Sequence, residues 1–285
     1  MMANAPWNRT RQMPPGRAFE AYHLADTTAQ PRVMHSHEYY EIYFFLHGSI
    51  RIIIEDVDVC PQHGDVLIFP PHCMHRNIHI SAEEPYERFY LYASRETVQS
   101  VSVGEFQLSV ELDTLLKANG YLFHLGEPAL EELLQRTDEI IAASAMDTPA
   151  DYLMNHYRMC MLLLRTASLL RESTTRPPRA QSRMNPLVRY LNDHLTETIS
   201  LDHLAETFYL SKFALLREFK EHTGLSIHQY ILAKRILLAQ ELLAQGMKPN
   251  QVSDQCGFSD YATFYRAFRN RTGVSPNQFS RDSCP

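Results

Sequence analysis

GFSDYATFYRAFRNRTGVSPNQF, residues 257–279, is the stretch that decides the fold of this chain's C-terminal part. Phe264 and Phe268 are four positions apart, so a helix places them on one face. Gly273 follows the last turn of that helix, where glycine commonly ends helices. Upstream, a short apolar pattern around Val252 indicates another helix, and Gly-Phe-Ser lies between the two as a turn. The stretch therefore predicts a helix-turn-helix unit.

A second unit of the same kind lies upstream in SLDHLAETFYLSKFALLREFKEHTG, residues 200–224. Ser200 is placed to cap a short helix, a turn follows at Tyr209, and Ser211 is placed to cap the next helix. The segment ILAKRILLAQELLA, residues 231–244, is predicted to join the two units as a single amphipathic helix. A helix of ~20 residues spans ~30 Å, close to the ~34 Å of one DNA turn. One chain could therefore place two recognition helices in successive major grooves.

Residues 184–279 resemble the DNA-binding domain of AraC/XylS-type transcription regulators. The resemblance is carried by Leu204-Ala205, Leu210-Ser211, Phe219-Lys220, Gly224, Tyr230, Arg235, Ala239, Leu242-Leu243, Gly257-Phe258, Phe264, Arg266-Ala267-Phe268, Gly273, Ser275-Pro276 and Phe279. Two positions depart from the family pattern, with Ser253 in place of the usual Ala and Ser280 where an Arg often follows. The resemblance implies double-stranded DNA as a partner, and it also suggests contact with RNA polymerase.

The resemblance further implies which side chains contact DNA. The positions that read bases map to Phe213, Leu216, Arg217, Tyr261, Ala262, Tyr265 and Arg266. Arginine paired with guanine is the commonest specific base contact, and Phe213 or Leu216 could meet a thymine methyl group. Phosphate contacts, which position a protein without reading sequence, are expected from Lys212, Lys220, Arg269 and Arg271. The alternative is that these cations only solvate an exposed helix face.

The N-terminal part follows a different pattern. Between residues 19 and 92, short β-branched and aromatic runs alternate with turn residues, as in EIYFFL, SIRIIIED, GDVLIFPP and ERFYLYAS. Such runs predict a β-sandwich or barrel. Helices are predicted from Glu127 and over about 149–170. The second has an apolar stripe formed by Leu153, Met154, Tyr157, Met161, Leu164 and Ser168, which Leu162, Leu163 and Leu169 widen. It predicts either a helix that covers the β-domain or, in addition, the seam of a homodimer.

Histidine and carboxylate residues are concentrated in two motifs of this β-region. His35-Ser-His37-x3-Glu41-x6-Gly48 is followed by Gly64-x5-Pro70-x4-His75. If the first motif is extended, His35, His37 and Glu41 share one face, and Tyr43 continues it. Three histidines and a carboxylate suit Fe, Mn, Ni or Zn. The spacing resembles the two cupin motifs, although His72 and His79 stand where Gly and Asn are usual.

Three roles are open for His35, His37, Glu41, Tyr43 and His75. Family members commonly have a cupin-like N-terminal domain that binds a small effector such as a sugar, so these residues could contact that effector. The four residues other than Tyr43 could instead hold a divalent metal, or all five could only fill the barrel. A metal-dependent cupin enzyme with a helical appendage is the alternative function. That alternative gives no reason for two helix-turn-helix units.

Composition sets broad limits on the class of protein. The chain has 285 residues, with 45% hydrophobic and 21% charged residues, which indicates a globular protein. Its longest apolar run, Met159–Leu164, is far below the ~20 residues of a membrane span. Five scattered cysteines and the lack of a signal-peptide pattern predict a cytoplasmic protein without disulfides. The net charge of −6 comes from the N-terminal part, because residues 184–285 carry 11 basic against 10 acidic residues.

Together these patterns predict an α+β multidomain protein. Residues 1–171 form a cupin double-stranded β-barrel with flanking helices, which binds the effector and dimerises. A polar, proline-containing linker over 172–183 leads to an all-α domain, residues 184–285, with two helix-turn-helix motifs. The proline-rich arm before Phe19 is a candidate lid over the barrel. The predicted function is a DNA-binding transcription regulator that responds to a small molecule, with a sugar as the expected effector.

Overall fold

A computed structural model describes residue 13 and residues 16–26, 33–81, 84–143, 148–175 and 182–283. The chain forms two compact units, Met1–Gln181 and Ser182–Pro285, called unit 1 and unit 2 below. Half of the predicted linker, residues 176–181, and Pro14-Pro15 of the predicted lid lie outside the described residues. The described part of the linker starts within a helix that ends at Glu172 and continues into a short strand, Thr174–Thr175.

Unit 1 contains two facing antiparallel sheets and a small hairpin. Its strands are β1 (Phe19–Asp26), β2 (Tyr40–His47), β3 (Ile50–Ile54), β4 (Val57–Val59), β5 (Asp65–Phe69), β6 (His75–His79), β7 (Tyr86–Ala93), β8 (Ser102–Val103), β9 (Phe106–Gln107), β10 (Leu122–His124) and β11 (Thr174–Thr175). The larger sheet has the order β1-β7-β2-β5-β10-β11, and the smaller has the order β4-β3-β6. The predicted β-domain is confirmed.

The larger sheet is buried on both faces, and strand periodicity explains how. On β2, Tyr43 and Phe45 contribute to an interior cluster that also contains Ile52 of the smaller sheet. Ile42 and Phe44 point the other way, into a second cluster shared with helices. Because side chains alternate along a strand, one run of apolar residues supplies both clusters. The interior between the two sheets is therefore rich in aromatic residues. Helices cover the opposite face of the larger sheet.

The described residues of unit 1 form four helices. They are α1 (Arg95–Ser100), α2 (Leu108–Asn119), α3 (Glu127–Ala142) and α4 (Pro149–Glu172). Helix α3 buries Leu130, Leu133 and Ile140 as the sequence predicts. Helix α4 covers the sheet with a different face from the predicted stripe. Its buried residues are Asn155, Met159, Leu162, Leu163, Thr166, Ala167 and Leu170.

The stripe predicted on α4 lies on the exposed side of the helix in unit 1. Leu153, Met154, Tyr157 and Met161 are 51–61% exposed, and Leu164 is 38% exposed. The predicted covering of the β-domain by this helix is confirmed, but the contact is made by Leu162, Leu163 and their neighbours and not by the centre of the stripe. The helix has two apolar faces, and the face centred on Met159 and Leu162 makes the contact with the sheet.

Unit 2 is all helical, as predicted. Its helices are α5 (Asn185–Asp193), α6 (Leu201–Thr207), α7 (Lys212–Thr223), α8 (Ile227–Ala244), α9 (Pro249–Gln255), α10 (Tyr261–Thr272) and α11 (Pro276–Ser283). The Ser200 and Ser211 side chains accept hydrogen bonds from backbone N–H groups of the first turns of α6 and α7, which confirms both predicted caps. Asp260 caps α10 in the same way. The helix pairs α6–α7 and α9–α10 are the two helix-turn-helix units.

Helix α8 differs from the predicted amphipathic connector because it is packed on more than one side. Tyr230 places its ring edge-on against Phe219 of α7, with 5.6 Å between ring centroids. Ile236, Ala239 and Leu243 join the core that includes Phe264 and Phe268 of α10. Because α8 supplies apolar residues to the cores of both helix-turn-helix units, it is a central element of unit 2.

Candidate functional site

Helix α7, the second helix of the first helix-turn-helix unit, has one buried face and one exposed face. Leu215 and Phe219 are fully buried, as the sequence predicts for core positions. Phe213 is 75% exposed and Leu216 is 39% exposed, and Lys212, Arg217 and Lys220 are exposed as well. Every residue predicted to contact DNA on this helix is therefore accessible in unit 2.

The charged groups on α7 have weak or exposed partners. Lys212 Nζ is 2.5 Å from Asp202 Oδ1 of α6, and both side chains are more than half exposed. The Arg217 guanidinium lies 3.7 Å from Glu218 and 3.9 Å from Glu221, and its carbon is 5.8 Å from the Phe213 ring centroid. Exposed pairs of this kind contribute little to stability, so a phosphate or a base can replace them at low cost.

Helix α10, the second helix of the second helix-turn-helix unit, has the same arrangement. Phe264 and Phe268 are fully buried. The predicted contact residues lie on the accessible sides of the helix. Ala262, Arg266 and Arg269 are exposed, and Tyr261 and Tyr265 are half-buried. The two helices thus share one design, with an aromatic core face opposite a face that carries an arginine.

One exposed aromatic residue near α7 was not assigned a role from the sequence. Tyr209 lies in the turn between α6 and α7, is 96% exposed, and has a positive φ of 53°. A non-glycine residue in this conformation is uncommon. The turn signal located the residue, but no periodicity applies in a turn, so its exposure could not be predicted.

In unit 1, three of the four predicted metal ligands lie together. His37, Glu41 and His75 are buried, and each offers a ligand atom within 4.8 Å of the others. His37 Nε2 is 2.9 Å from Glu41 Oε2, and His75 Nε2 is 3.7 Å from the same oxygen. Among the residues that the structure describes, this is the one group of three or more His, Cys, Asp or Glu residues with such spacing. We call it the triad.

The hydrogen bonds of the two imidazoles orient the triad. His37 Nδ1 is 2.8 Å from the Tyr39 carbonyl oxygen, and His75 Nδ1 is 3.1 Å from the Cys73 carbonyl oxygen. A carbonyl oxygen only accepts, so each Nδ1 carries the proton and each neutral ring presents an Nε2 lone pair. Both lone pairs face a carboxylate that is also an acceptor when ionised. A metal ion bound to the three residues would use these acceptor atoms.

His35 does not join the triad, although it lies next to His75, and the backbone between His37 and Glu41 is not the extended strand that was assumed. The prediction assumed an extended segment from His35 to Glu41, but the chain bends at Glu38-Tyr39 before β2 begins. His35 forms two backbone hydrogen bonds with His75, of 3.0 and 2.8 Å, and its ring centroid is 4.4 Å from that of His75. It is half-buried, with Nδ1 3.2 Å from the Val33 carbonyl oxygen. The assumption of an unbroken strand is wrong.

Tyr43 lies in a group of tyrosines between the sheets. It is fully buried, and its hydroxyl is hydrogen-bonded to that of Tyr86, with the Tyr90 ring 5.1 Å away. Burial raises the pKa values of Tyr43 and Tyr86 well above the ordinary value. Both hydroxyls therefore keep their protons at neutral pH and can donate as well as accept hydrogen bonds.

A buried arginine completes this interior and was missed from the sequence. Arg88 of β7 is 3% exposed, and its guanidinium lies 4.0 Å from the Tyr86 ring centroid. Its Nη1 donates a hydrogen bond of 2.8 Å to the Tyr86 carbonyl oxygen. Side chains alternate along the strand ERFYLYAS, so Arg88 and Tyr90 point to the same side of the sheet. This alternation was the signal in the sequence that could have indicated burial of Arg88.

Two family models match this chain. One, described as an AraC-like ligand binding domain, matches residues 19–146, and the other, a helix-turn-helix domain, matches residues 204–282. The first match contains the triad, and the second contains α7, α8 and α10. The described helices include none with the length and apolar character that a membrane crossing requires.

Several known proteins are similar to this chain over most of its length. The probable transcriptional regulator LumQ of Photobacterium leiognathi is 27% identical over 257 residues, which cover 89% of this chain and 94% of LumQ. The HTH-type transcriptional activator RhaS of Salmonella arizonae is 27% identical over 258 residues, with coverage of 88% and 89%. The crystal structure of ToxT from Vibrio cholerae O395 is 12% identical, covers 93% of this chain and 97% of ToxT, and gives a TM-score of 0.36.

The named sequence relatives are a regulator and an activator, which sets aside the alternative of a metal-dependent cupin enzyme. The matches span both units in the order that the sequence predicted. This chain is therefore not an enzyme, and it belongs to the AraC family of DNA-binding transcription regulators, with a ligand-binding domain ahead of its helix-turn-helix domain.

Proposed function

We propose that this regulator reads one operator with both α7 and α10, and that a sugar bound inside unit 1 controls this activity. The observation that carries the proposal is the matched design of the two helices. Each buries a pair of core residues and exposes an arginine beside aromatic or small residues. A single helix-turn-helix unit would need only one such face.

On DNA, the exposed residues divide by chemistry into two groups. The guanidinium groups of Arg217 and Arg266 pair with guanine, while Phe213 and Leu216 contact thymine methyl groups. Tyr261, Ala262 and Tyr265 border the second base-reading surface. The remaining cations bind phosphate, namely Lys212, Lys220, Arg269 and the exposed Arg271. In the proposal, Lys212 exchanges its exposed partner Asp202 for a phosphate.

The interior of unit 1 suits a polyol. Its aromatic rings offer flat apolar surface, and the Tyr43 hydroxyl and the triad offer donors and acceptors. Small-molecule sites generally combine a largely apolar wall with a few placed polar groups. We assign the contacts with the sugar to His37, Glu41, Tyr43 and His75, with the half-buried His35 at the border.

The same triad is proposed to hold a divalent transition metal through His37 Nε2, the Glu41 carboxylate and His75 Nε2. Metal-ligating histidines commonly donate the other ring N–H to a carbonyl, as both imidazoles do here. Two histidines and a carboxylate suit Fe, Mn, Ni or Zn. When bound, the ion would supply coordination sites for sugar hydroxyls. His35, predicted as a fourth ligand, is left out of this set.

Metal content and thermal stability test the proposals for unit 1. Protein purified without an affinity tag should contain stoichiometric metal, and EDTA should lower its melting temperature. His37→Ala should abolish both effects, whereas His47→Ala, which alters an exposed histidine of β2, should leave them intact. A sugar at 100 times its dissociation constant should add ~2.7 kcal/mol of stability. Metal-free protein, with an EDTA response equal in wild type and His37→Ala, would contradict the metal site.

The exposed stripe on α4 supports a homodimer. Its residues recur at alternating spacings of four and three, which is the pattern of a coiled-coil seam. Met154, Tyr157, Met161, Leu164 and Ser168 of the stripe follow this pattern, and the exposed Ala150 extends it by one step toward the N-terminus. Met154, Tyr157 and Met161 are more than half exposed, so they offer apolar surface to a partner helix. We propose that two copies pair through this stripe.

Two further parts of the proposal follow from its DNA partner. A regulator of this kind acts in the cytoplasm, where its DNA is found. Contact with RNA polymerase stays a prediction of the family resemblance, and we assign no residue to it.

A further inference from the structure

Arg235, in the middle of α8, connects two loops that are distant in sequence. Its Nε donates to the Leu195 carbonyl oxygen at 2.8 Å, and its Nη2 donates to the Glu197 carbonyl oxygen at 2.8 Å. Its Nη1 donates to the Gly257 carbonyl oxygen at 2.5 Å. The first two acceptors lie between α5 and α6, just ahead of the first helix-turn-helix unit. The third lies in the turn of the second unit.

The two loops also touch each other directly. Gly257 has a φ of +73°, and a Cβ added to it would lie 2.2 Å from the Thr196 carbonyl oxygen. The backbone at Thr196 therefore lies directly against the turn between α9 and α10. We call Arg235, residues 195–197 and Gly257 together the clasp.

The clasp has the properties of a rigid joint. A guanidinium holds its donors in one plane, so three simultaneous hydrogen bonds fix the directions of all three acceptors. Hydrogen bonds from a charged donor are stronger than those between neutral groups. A separate bond of 2.9 Å from the Tyr230 hydroxyl to Asn192 Oδ1 ties α8 to α5. Rotating α9 and α10 against the first helix-turn-helix unit, α6 and α7, would break the clasp.

We infer that Arg235 is a positioning residue for operator recognition, because the clasp fixes the relative orientation of α7 and α10. The clasp thereby determines how far apart the base pairs read by α7 and those read by α10 must lie in an operator. Helix α8 alone would hold the distance but would resist twisting less. This inference rests on the proposed reading of one operator by both helices.

The test compares operators of different spacing. DNA selected by the wild-type protein from a random library is remade with one or two base pairs inserted between the contacted blocks. Wild type should lose ~100-fold in affinity on a two-base-pair insertion, because one helix then loses its base contacts. Arg235→Met should bind the operator of native spacing at least ~10-fold more weakly than wild type does. Its affinities for the native operator and for the operator with two inserted base pairs should differ by less than ~3-fold.

Arg281→Met is the matched control, because it removes an exposed guanidinium of α11 whose Nε is 3.3 Å from the Asn277 carbonyl oxygen. It should keep wild-type discrimination. If Arg235→Met fails to melt cooperatively, Arg235→Lys, which keeps the charge without the fork, is measured instead and should also discriminate less.

A folded Arg235 variant with wild-type discrimination between spacings would overturn the inference. A wild-type protein that accepts all spacings equally would instead refute the reading of one operator by two helices, and the role of the clasp with it. The two failures are distinguishable because the second is seen without any variant.

Discussion

Two glycines of unit 2 have left-handed backbones but different surroundings, and this difference predicts different effects of one substitution. Gly246 has a φ of +85° with no heavy atom within 4 Å of an added Cβ, whereas at Gly257 that Cβ would overlap Thr196. Gly246→Ala should cost only the backbone strain, ~1 kcal/mol. Gly257→Ala adds a clash with backbone and should cost at least ~3 kcal/mol.

Urea unfolding of the two glycine variants, followed by the signal of the helices, measures this difference. Because Gly246 serves as the matched control, conformational strain common to both sites cancels. Equal losses of unfolding free energy would contradict the close contact between the loop at Thr196 and the turn at Gly257.

Single residues were predictable from sequence where a pattern constrained them. Phe264 and Phe268 followed from helical spacing, and both are fully buried. The hydrogen bonds made by Arg88 and Arg235 were not predicted, although Arg235 is among the residues that carry the family resemblance, because an isolated arginine in a strand or helix is most often exposed. Their hydrogen bonds go to backbone carbonyls, which carry no mark in the sequence. His35 was grouped with His37 because alternate residues of a strand share one face, and this spacing does not say how far each imidazole lies from Glu41.

At the scale of elements, α4 shows what periodicity leaves undetermined. The sequence predicts an amphipathic helix, but α4 has two apolar faces, and spacing alone does not say which one meets the sheet. Met159 and Leu162 are buried, whereas Met161 is 61% exposed. The family resemblance gave no information on this point because its quoted residues lie in unit 2.

The exposed stripe of α4 predicts a variant that separates dimerisation from folding. Met161→Glu places a charge in the centre of the proposed seam, where burial of an unpaired carboxylate is unfavourable. We expect at least ~10-fold weaker dimerisation, ~1.4 kcal/mol, by sedimentation equilibrium, with an unchanged melting temperature for the monomer. Val110→Glu, at an exposed apolar site on α2, is the control and should leave dimerisation unchanged.

Two outcomes would contradict this role of the stripe. A monomeric wild-type chain at micromolar concentration would remove the need for a seam. A dimer whose dissociation constant is the same in wild type and Met161→Glu would place the contact on another surface.

At the scale of the whole molecule, the two units were predicted from sequence with different kinds of information. In unit 2 the turn residues, caps and aromatic spacing agree with one another, so both helix-turn-helix units and their connecting helix were predicted, whereas α5 and α11 were not predicted as separate helices. In unit 1 the strands and the site residues were predicted, but the convergence of the triad depends on pairing between β2, β6 and the bend before β2. Such long-range pairing is not encoded in local spacing.

Regulation by an effector also belongs to this scale. A sugar can change DNA binding only by the difference between its affinities for two states of the chain. The proposal therefore requires reciprocity, because operator DNA must change the sugar affinity by the same factor by which the sugar changes DNA affinity.

The most direct test of the central claim is selection of DNA from a random library by wild type, Arg217→Ala and Arg266→Ala. Wild type should select two conserved blocks about one helical turn, ~10 base pairs, apart. Each variant should lose ~1–3 kcal/mol of binding free energy and should relax a different block. Selection of a single block, or two variants that keep wild-type affinity and sequence preference, would contradict recognition by both helices.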